Sequence, residues 1–173
     1  MYTALLLMLC IILAQCLIEA QAYGGNRYGN TRHAYVKLNG VAVWQSSWHG
    51  AYPNRRGVTV VVVDPTSCTM RNSRNFDTFG DRYAARRLRD HLQGLSDGTV
   101  LVVVTADEAS RHLRDALSTL GRLGAEVYDV RYRGAWVFVA EKGDPIKTVL
   151  DKVLDETSAY RRQPHVAASF GGS

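Results

Sequence analysis

The chain has 173 residues, of which 46% are hydrophobic, and its 21 basic and 16 acidic side chains give a formal net charge of +5 at pH 7. This length and composition are typical of one domain with a proper core, and no internal repeat or linker indicates a second. The positive charge is spread along the sequence instead of forming a block, which argues against a basic tail and suggests anionic or polar partners such as acidic glycans.

The first 22 residues have the pattern of a secretory signal peptide. Residues 1–18 carry no charged side chain, and Ala20-Gln21-Ala22 places small residues where a cleavage site needs them. We predict cleavage before Tyr23, with an uncleaved membrane anchor as the alternative, and no second span follows. The product would be secreted and extracellular, where nucleic acid is not an expected partner.

The cysteines predict a mature chain with a single thiol. Cys10 and Cys16 lie within the predicted signal peptide and would be removed with it, so Cys68 would have no partner within the chain. In an oxidising compartment a lone cysteine is either shielded by the fold or joined to a second chain. We favour a shielded thiol and keep a dimer bridged through Cys68 as the alternative.

The first half of the predicted mature chain contains a flexible lead and then antiparallel strands. Residues 23–33 are rich in Gly, Asn and Arg and have no apolar period. Alternation on both sides of Asn39-Gly40 predicts a hairpin, because a primed two-residue turn needs positive φ at both positions. The run 57–63 is the clearest strand, and Asp64 with the following proline predicts a turn into a returning strand. That role explains Asp64 without catalysis.

The second half alternates helices with buried strands. Apolar residues at helical spacing and continuous apolar runs, with turn residues between them, define the boundaries. The predicted elements are a helix from about residue 80, a strand at 100–104, a helix ending near Gly121 or Gly124, two strands on either side of Arg133-Gly134 of which the second is at 135–140, a final helix starting at Asp144-Pro145, and a mobile tail at 161–173.

No motif for catalysis or metal binding is recognisable. The five histidines are not at metal-ligand spacing, so we expect no metal and no cofactor. A Gly-x-Ser-x-Gly motif is absent, and Cys68 has no signal for a paired histidine. Asp64 resembles the nucleophile of haloacid-dehalogenase-like phosphatases, but these need a second aspartate where this chain has Thr66. We therefore expect no catalytic residues.

Three charged residues lie at predicted strand ends. Arg56 precedes the strand at 57–63, Asp107 follows the strand at 100–104, and Arg133 precedes the strand at 135–140. If these ends meet, one carboxylate and two guanidiniums would bind sugar hydroxyls or an acid group through charge-assisted hydrogen bonds. The alternative is an ion pair between Asp107 and Arg133 that only fixes loops, and the residues alone slightly favour it.

Four segments in this order resemble the interleukin-like EMT inducer domain, also called the GG or PANDER-like domain. They are Arg56-Gly57, Phe76-Asp77-Thr78, Asp107-Glu108, and Arg133 followed by Trp136 and Phe138. The resemblance covers residues 34 to about 143, and we place the domain at residues 34–160. It implies an α+β fold, a compact single domain of two twisted, mostly antiparallel sheets flanked by helices, without catalytic activity of its own.

The resemblance also implies a function. Members include secreted non-classical cytokines, the stem domain of protein O-mannose N-acetylglucosaminyltransferase and modules of cell-surface hyaluronan-handling proteins. The stem domain binds carbohydrate, and the matching positions here are Arg56, Asp107 and Arg133. We therefore expect a secreted carbohydrate-binding module whose partners are glycans or glycoproteins, with a cytokine-like ligand acting through a cell-surface receptor as the alternative. The cytokine members carry disulfides, so a single mature cysteine favours the carbohydrate-binding modules.

Overall fold

The computed structural model describes residues 15–24, 33–49, 52–126, 130–143, 147–154 and 165–170. Within these residues it has twelve strands and two helices. In chain order they are β1 (Cys16–Gln21), β2 (Tyr23–Gly24), β3 (Tyr35–Leu38), β4 (Val41–Gln45), β5 (Ser47–His49), β6 (Tyr52–Asn54), β7 (Gly57–Asp64), β8 (Thr69–Phe76), α1 (Ala84–Gln93), β9 (Val100–Asp107), α2 (Arg114–Arg122), β10 (Ala135–Glu141), β11 (Lys147–Leu154) and β12 (His165–Phe170).

The strands form two large sheets and one small one. The four-stranded sheet has the order β12-β1-β3-β4, and the six-stranded sheet has the order β11-β10-β9-β7-β8 with β2 added beside β9. Every pairing is antiparallel except that of β2 with β9. The structure confirms the predicted α+β class, with two mostly antiparallel sheets and two helices.

The six-stranded sheet is the middle of three layers. Alternate residues such as Val61 and Val102 pack against the four-stranded sheet. Their neighbours, including Val60, pack against the leucines of α1 and α2. Burial on both faces explains why β7 and β9 appear in the sequence as continuous valine runs instead of alternating patterns.

Two local predictions are confirmed. Asn39 and Gly40 both have positive φ, 48° and 79°, and join β3 to β4 as a hairpin. Asp64 ends β7 as a turn residue: its Oδ1 accepts the backbone N–H groups of Thr66 and Ser67, and its Oδ2 pairs with Arg71. These donors and the Arg71 hydrogen bond lower the pKa of Asp64.

Two predictions near the C-terminus are wrong. The segment predicted as a final helix contains β11, which pairs with β10, and the segment predicted as a mobile tail contains β12, which pairs with β1. The apolar pairs at 149–150 and 153–154 fit a helical face as well as a strand. The open edge of β10 decides between them, because its backbone groups need partners. Residues 144–146, 161–164 and 171–173 lie outside the described residues.

The N-terminal segment is also placed differently from the prediction. Cys16 lies in β1, fully buried, and forms a disulfide with Cys68 in the β7–β8 turn. The prediction of a single thiol is therefore wrong, and a dimer through Cys68 is not supported. Cleavage before Tyr23 would remove β1, the strand between β12 and β3. The rest of the predicted signal peptide, residues 1–14, lies outside the described residues.

The predicted flexible lead at 23–33 begins with a strand. Tyr23 and Gly24 form β2, and Tyr23 is almost completely buried in the core between the sheets. Residues 25–32 lie outside the described residues. No helix in the described part of the chain has the length and apolar composition to span a membrane.

Candidate functional site

The three predicted site residues meet at one edge of the six-stranded sheet. β7 and β10 both run antiparallel to β9, so the starts of β7 and β10 lie at the same edge as the end of β9. Arg56 directly precedes β7, Asp107 ends β9, and Arg133 lies two residues before β10. We call these three residues, with Glu108 and Asp77, the rim.

Asp107 has an unusual combination of properties. Its backbone is in the left-handed region at φ 61°, and its side chain is half-buried. Burial raises the pKa of its carboxyl group, while the positive charges of Arg133 and Arg56 act in the opposite direction. Among the described residues, nothing donates a hydrogen bond to this carboxylate. A carboxylate in this state has unused capacity to accept donors from a ligand.

Arg56 is held in place by Asp77. Its Nε and Nη2 donate to the two carboxylate oxygens of Asp77 at 3.0 and 2.6 Å, and its guanidinium lies 4.8 Å from the centroid of the Phe79 ring. Asp77 also accepts the backbone N–H of Gly80 at 2.8 Å. Burial alone would raise the pKa of Asp77, but the Arg56 hydrogen bonds and the backbone N–H groups of Gly80 and Phe79 lower it. Arg56 is thus a fixed positive charge beside Asp107.

The loop that carries Arg133 is fixed by Glu108. This buried carboxylate accepts the backbone N–H of Arg133 at 2.6 Å and that of Ser110 at 2.7 Å. Arg133 itself has positive φ, at 57°, and its guanidinium lies 5.2 Å from the centroid of the exposed Tyr132 ring. Within the described residues, Arg133 and Asp107 form no ion pair closer than 4.0 Å. The loop-fixing role that we had considered for Asp107 is therefore performed by Glu108.

Backbone strain is concentrated at this edge. The described residues include five non-glycine residues with positive φ; two of them, Asp107 and Arg133, belong to the rim, and a third, Arg55, directly precedes Arg56. Each such residue costs about 1–3 kcal/mol and persists where the surrounding structure enforces it, most often at functional sites. Gly24 is required here as well, because a Cβ at this position would overlap the carbonyl oxygen of Arg133.

Sequence reasoning missed the roles of Glu108, which belongs to the rim, and of Tyr23, which pairs with Ala106 beside it. Glu108 was noted only as part of a motif, and Tyr23 was assigned to a flexible lead. Burial and the charge of Asp107 raise the pKa of Tyr23, and a hydrogen bond with Ser46 acts against them. Neither residue carries a local signal, because both roles depend on strands that are distant in sequence.

In the described part of the chain, no group of three or more His, Cys, Asp or Glu residues is arranged to hold a metal ion. The rim is instead suited to hydrogen bonding, with one carboxylate acceptor between two guanidinium groups.

Comparison with known proteins identifies the family. Residues 56–144, which contain the rim, match the family model described as interleukin-like EMT inducer. The chain belongs to this family. The cell migration-inducing and hyaluronan-binding protein of Homo sapiens is 34% identical over 125 residues, which are 71% of this chain and 9% of that protein. Protein FAM3C of Bos taurus is 26% identical over 121 residues, 67% of this chain and 52% of that protein.

A third relative is the cell surface hyaluronidase CEMIP2 of Homo sapiens, 31% identical over 87 residues. The chain thus spans about half the length of FAM3C and about a tenth or less of the two hyaluronan-related proteins. The matches concern the interleukin-like EMT inducer domain, and these proteins extend far beyond it.

Proposed function

We propose that this member of the interleukin-like EMT inducer family is a secreted, non-catalytic carbohydrate-binding module that recognises glycans through the rim. The observation that carries this proposal is the Asp107 carboxylate. It is half-buried on a strained backbone, flanked by two guanidiniums and without a hydrogen-bond donor among the described residues. A carboxylate that no protein group hydrogen-bonds can accept charge-assisted hydrogen bonds from the hydroxyl groups of a ligand.

The rim residues have separate roles in this proposal. Asp107 accepts hydrogen bonds from sugar hydroxyls, and Arg133 donates to a hydroxyl or to the carboxylate of an acidic sugar. Arg56 is not the primary sugar ligand, because Asp77 already holds its guanidinium; its charge, with that of Arg133, acts against the burial that raises the pKa of Asp107. Tyr132, half-exposed beside Arg133, offers an aromatic face to a sugar ring.

The relatives support glycans as the ligand class. One of them is named for hyaluronan binding and another is named a hyaluronidase. The net charge of +5 favours an acidic glycan over a neutral one, since opposite charges raise the rate of association. We therefore place acidic glycans first among the ligands to test.

A glycan array tests the proposal, followed by calorimetry with any glycan that binds. Asp107→Asn and Arg133→Ala each remove a charge-assisted hydrogen bond, worth about 1.5–3 kcal/mol, so we expect affinity to fall by about 10- to 100-fold. Asp115→Asn and Arg86→Ala are matched controls, because these exposed helical residues have no hydrogen bond or ion pair among the described residues. Equal losses in the rim variants and the controls would refute the site.

The second candidate is a cytokine-like ligand that acts through a cell-surface receptor. It is favoured by the match to FAM3C, because this match covers 52% of that protein, whereas the matches to the two hyaluronan-related proteins cover 9% and 6% of theirs. Cells treated with glycosidases to remove surface glycans distinguish the two functions. Binding that persists after treatment, and that Asp107→Asn leaves unchanged, indicates a protein receptor; binding that disappears indicates glycans.

A further inference from the structure

Arg111 places another guanidinium group beside the rim. Its Cζ lies 5.6 Å from the centroid of the Phe79 ring, and the Cζ of Arg56 lies 4.8 Å from the same centroid. The two guanidiniums are therefore no farther apart than these two distances placed end to end, a gap on the scale of a disaccharide. A ligand bound at the rim reaches Arg111 by extending past the Phe79 ring.

The position of Phe79 is fixed by the loop after β8. The Asp77 carboxylate accepts the backbone N–H groups of Phe79 and Gly80 at 3.3 and 2.8 Å. A Cβ at Gly80 would overlap Arg56 Nη2 and Asp77 Oδ2, so the loop lies directly against the Arg56–Asp77 pair. Phe79 is thus held next to the rim by the same carboxylate that holds Arg56.

The segment that carries Arg111 is joined to this loop. Thr78 Oγ1 donates a hydrogen bond to the carbonyl oxygen of Ala109 at 2.7 Å, and the backbone N–H of His112 donates to the carbonyl oxygen of Thr78 at 2.8 Å. Arg111 lies between these two contacts in sequence, and its side chain is exposed. Within the described part of the chain it has no hydrogen bond or ion pair, only the contact with Phe79. An arginine stacked on a ring keeps its N–H donors available for an acid group.

Asp107 and Arg111 select different groups on a ligand. An acid group on the sugar at Asp107 would be repelled, because like charges at close range disfavour binding, so that sugar must present hydroxyl groups. An acid group on the neighbouring sugar avoids this repulsion and can pair with Arg111. The other rim carboxylates do not compete for Arg111, since Asp77 is engaged by Arg56 and Glu108 by backbone N–H groups.

We propose that Phe79 and Arg111 form a second subsite, which binds the acidic sugar of a glycan whose neighbouring neutral sugar occupies the rim. This inference rests on the proposed carbohydrate-binding function and names its ligand class: an acidic glycan in which charged and neutral sugars adjoin. Arg111 pairs with the acid group, and the half-buried Phe79 ring keeps the guanidinium in place. Arg111 is then a specificity-determining residue, because it distinguishes an acidic chain from a neutral one of the same shape.

Calorimetry with a hyaluronan hexasaccharide tests the proposal, with its carboxyl-reduced form as the neutral analogue. The hexasaccharide alternates acidic and neutral sugars, and reduction converts each carboxylate into a hydroxymethyl group without changing the chain. We expect the wild-type protein to bind the acidic form about fivefold more tightly, the ratio that one exposed ion pair supports. The preference should shrink as salt is added, because salt screens exposed charges.

Arg111→Gln is the decisive variant, because it removes the charge of an exposed side chain and keeps a polar group. It should bind the acidic form about three- to fivefold more weakly than the wild-type protein and the reduced form equally well. Arg114→Gln removes another exposed guanidinium, at the start of α2, and should retain the preference for the acidic form. Asp107→Asn should weaken the binding of both forms.

The second subsite and the rim fail in different ways. If Arg111→Gln keeps the preference while Asp107→Asn weakens the binding of both forms, the second subsite is refuted and the rim stands. Equal affinity of the wild-type protein for the two forms also refutes the second subsite alone. If Asp107→Asn leaves both affinities unchanged, the rim is refuted and the second subsite with it. If neither form binds, this inference is overturned, and the glycan array decides separately on the rim.

Discussion

Replacing Asp107 by glycine should stabilise the protein while destroying the proposed site. A non-glycine residue in the left-handed region costs about 1–2 kcal/mol, and Asp107 has φ 61°. Glycine removes this cost but adds about 0.4–1 kcal/mol of entropy to the unfolded chain. No hydrogen bond among the described residues is lost with the carboxylate. We therefore expect a net gain of about 0.5–1 kcal/mol, or roughly 1–4 °C in Tm for a chain of this length.

Asp107→Ala separates the backbone from the carboxylate. It also removes the side-chain charge but keeps the strain, so calorimetry should find it less stable than Asp107→Gly. Both variants should lose glycan binding. If both variants instead unfold several degrees below the wild-type protein, Asp107 is a structural residue and the reasoning from its unsatisfied carboxylate is wrong.

Three further predictions concern the disulfide, the leader and the pH dependence. Cys68→Ser should lower the free energy of unfolding by about 4 kcal/mol, since the Cys16–Cys68 bond spans 52 residues; urea titration measures this, and a loss below about 1 kcal/mol would contradict it. We propose that the signal peptide is cleaved before Cys16, which keeps β1 in the mature protein. N-terminal sequencing of the secreted protein should then read the residues of β1, whereas a start at Tyr23 would contradict this proposal. The pKa of Asp77 is lowered in the folded state, so its contribution to stability is present above its unfolded value and is lost as pH falls through the folded value. In Asp77→Asn, the melting temperature should therefore fall less steeply as the pH is lowered through this range. An unchanged slope would refute the stabilisation of ionised Asp77 by Arg56.

The sequence was sufficient to predict the centre of the fold. β7 and β9 are long runs of β-branched residues, and a continuous run of this kind is typical of a strand that is buried on both faces. The antiparallel order of β7, β9 and β10 did not follow from the residues and was implied only by the family resemblance. It is this order that brings Arg56, Asp107 and Arg133 to one edge, a meeting that the sequence allowed only as a condition.

The edges of both sheets could not be predicted in the same way. β1 alternates buried Cys16, Ile18 and Ala20 with more exposed neighbours, but it lies within the first 22 residues, which we interpreted as a signal peptide. β12 pairs with β1, which is distant in sequence, and β11 completes the sheet edge beside β10, the strand that precedes it along the chain. Local pattern carries little information where pairing decides the structure.

The details of the rim depend on contacts that only the assembled fold provides. Glu108 fixes the Arg133 loop through backbone N–H groups that have no sequence signature. The positive φ of Asp107 and Arg133 was equally hidden, because neither is a glycine in a recognisable turn.

NMR mapping of a bound glycan tests the central claim most directly. An acidic oligosaccharide such as a hyaluronan fragment, or the strongest array ligand, is titrated into the ¹⁵N-labelled protein. The account predicts amide shifts concentrated at residues 106–108 and 132–134, absent in Asp107→Asn and retained in Asp115→Asn. Shifts that map elsewhere on the domain, or that persist unchanged in Asp107→Asn, would contradict it.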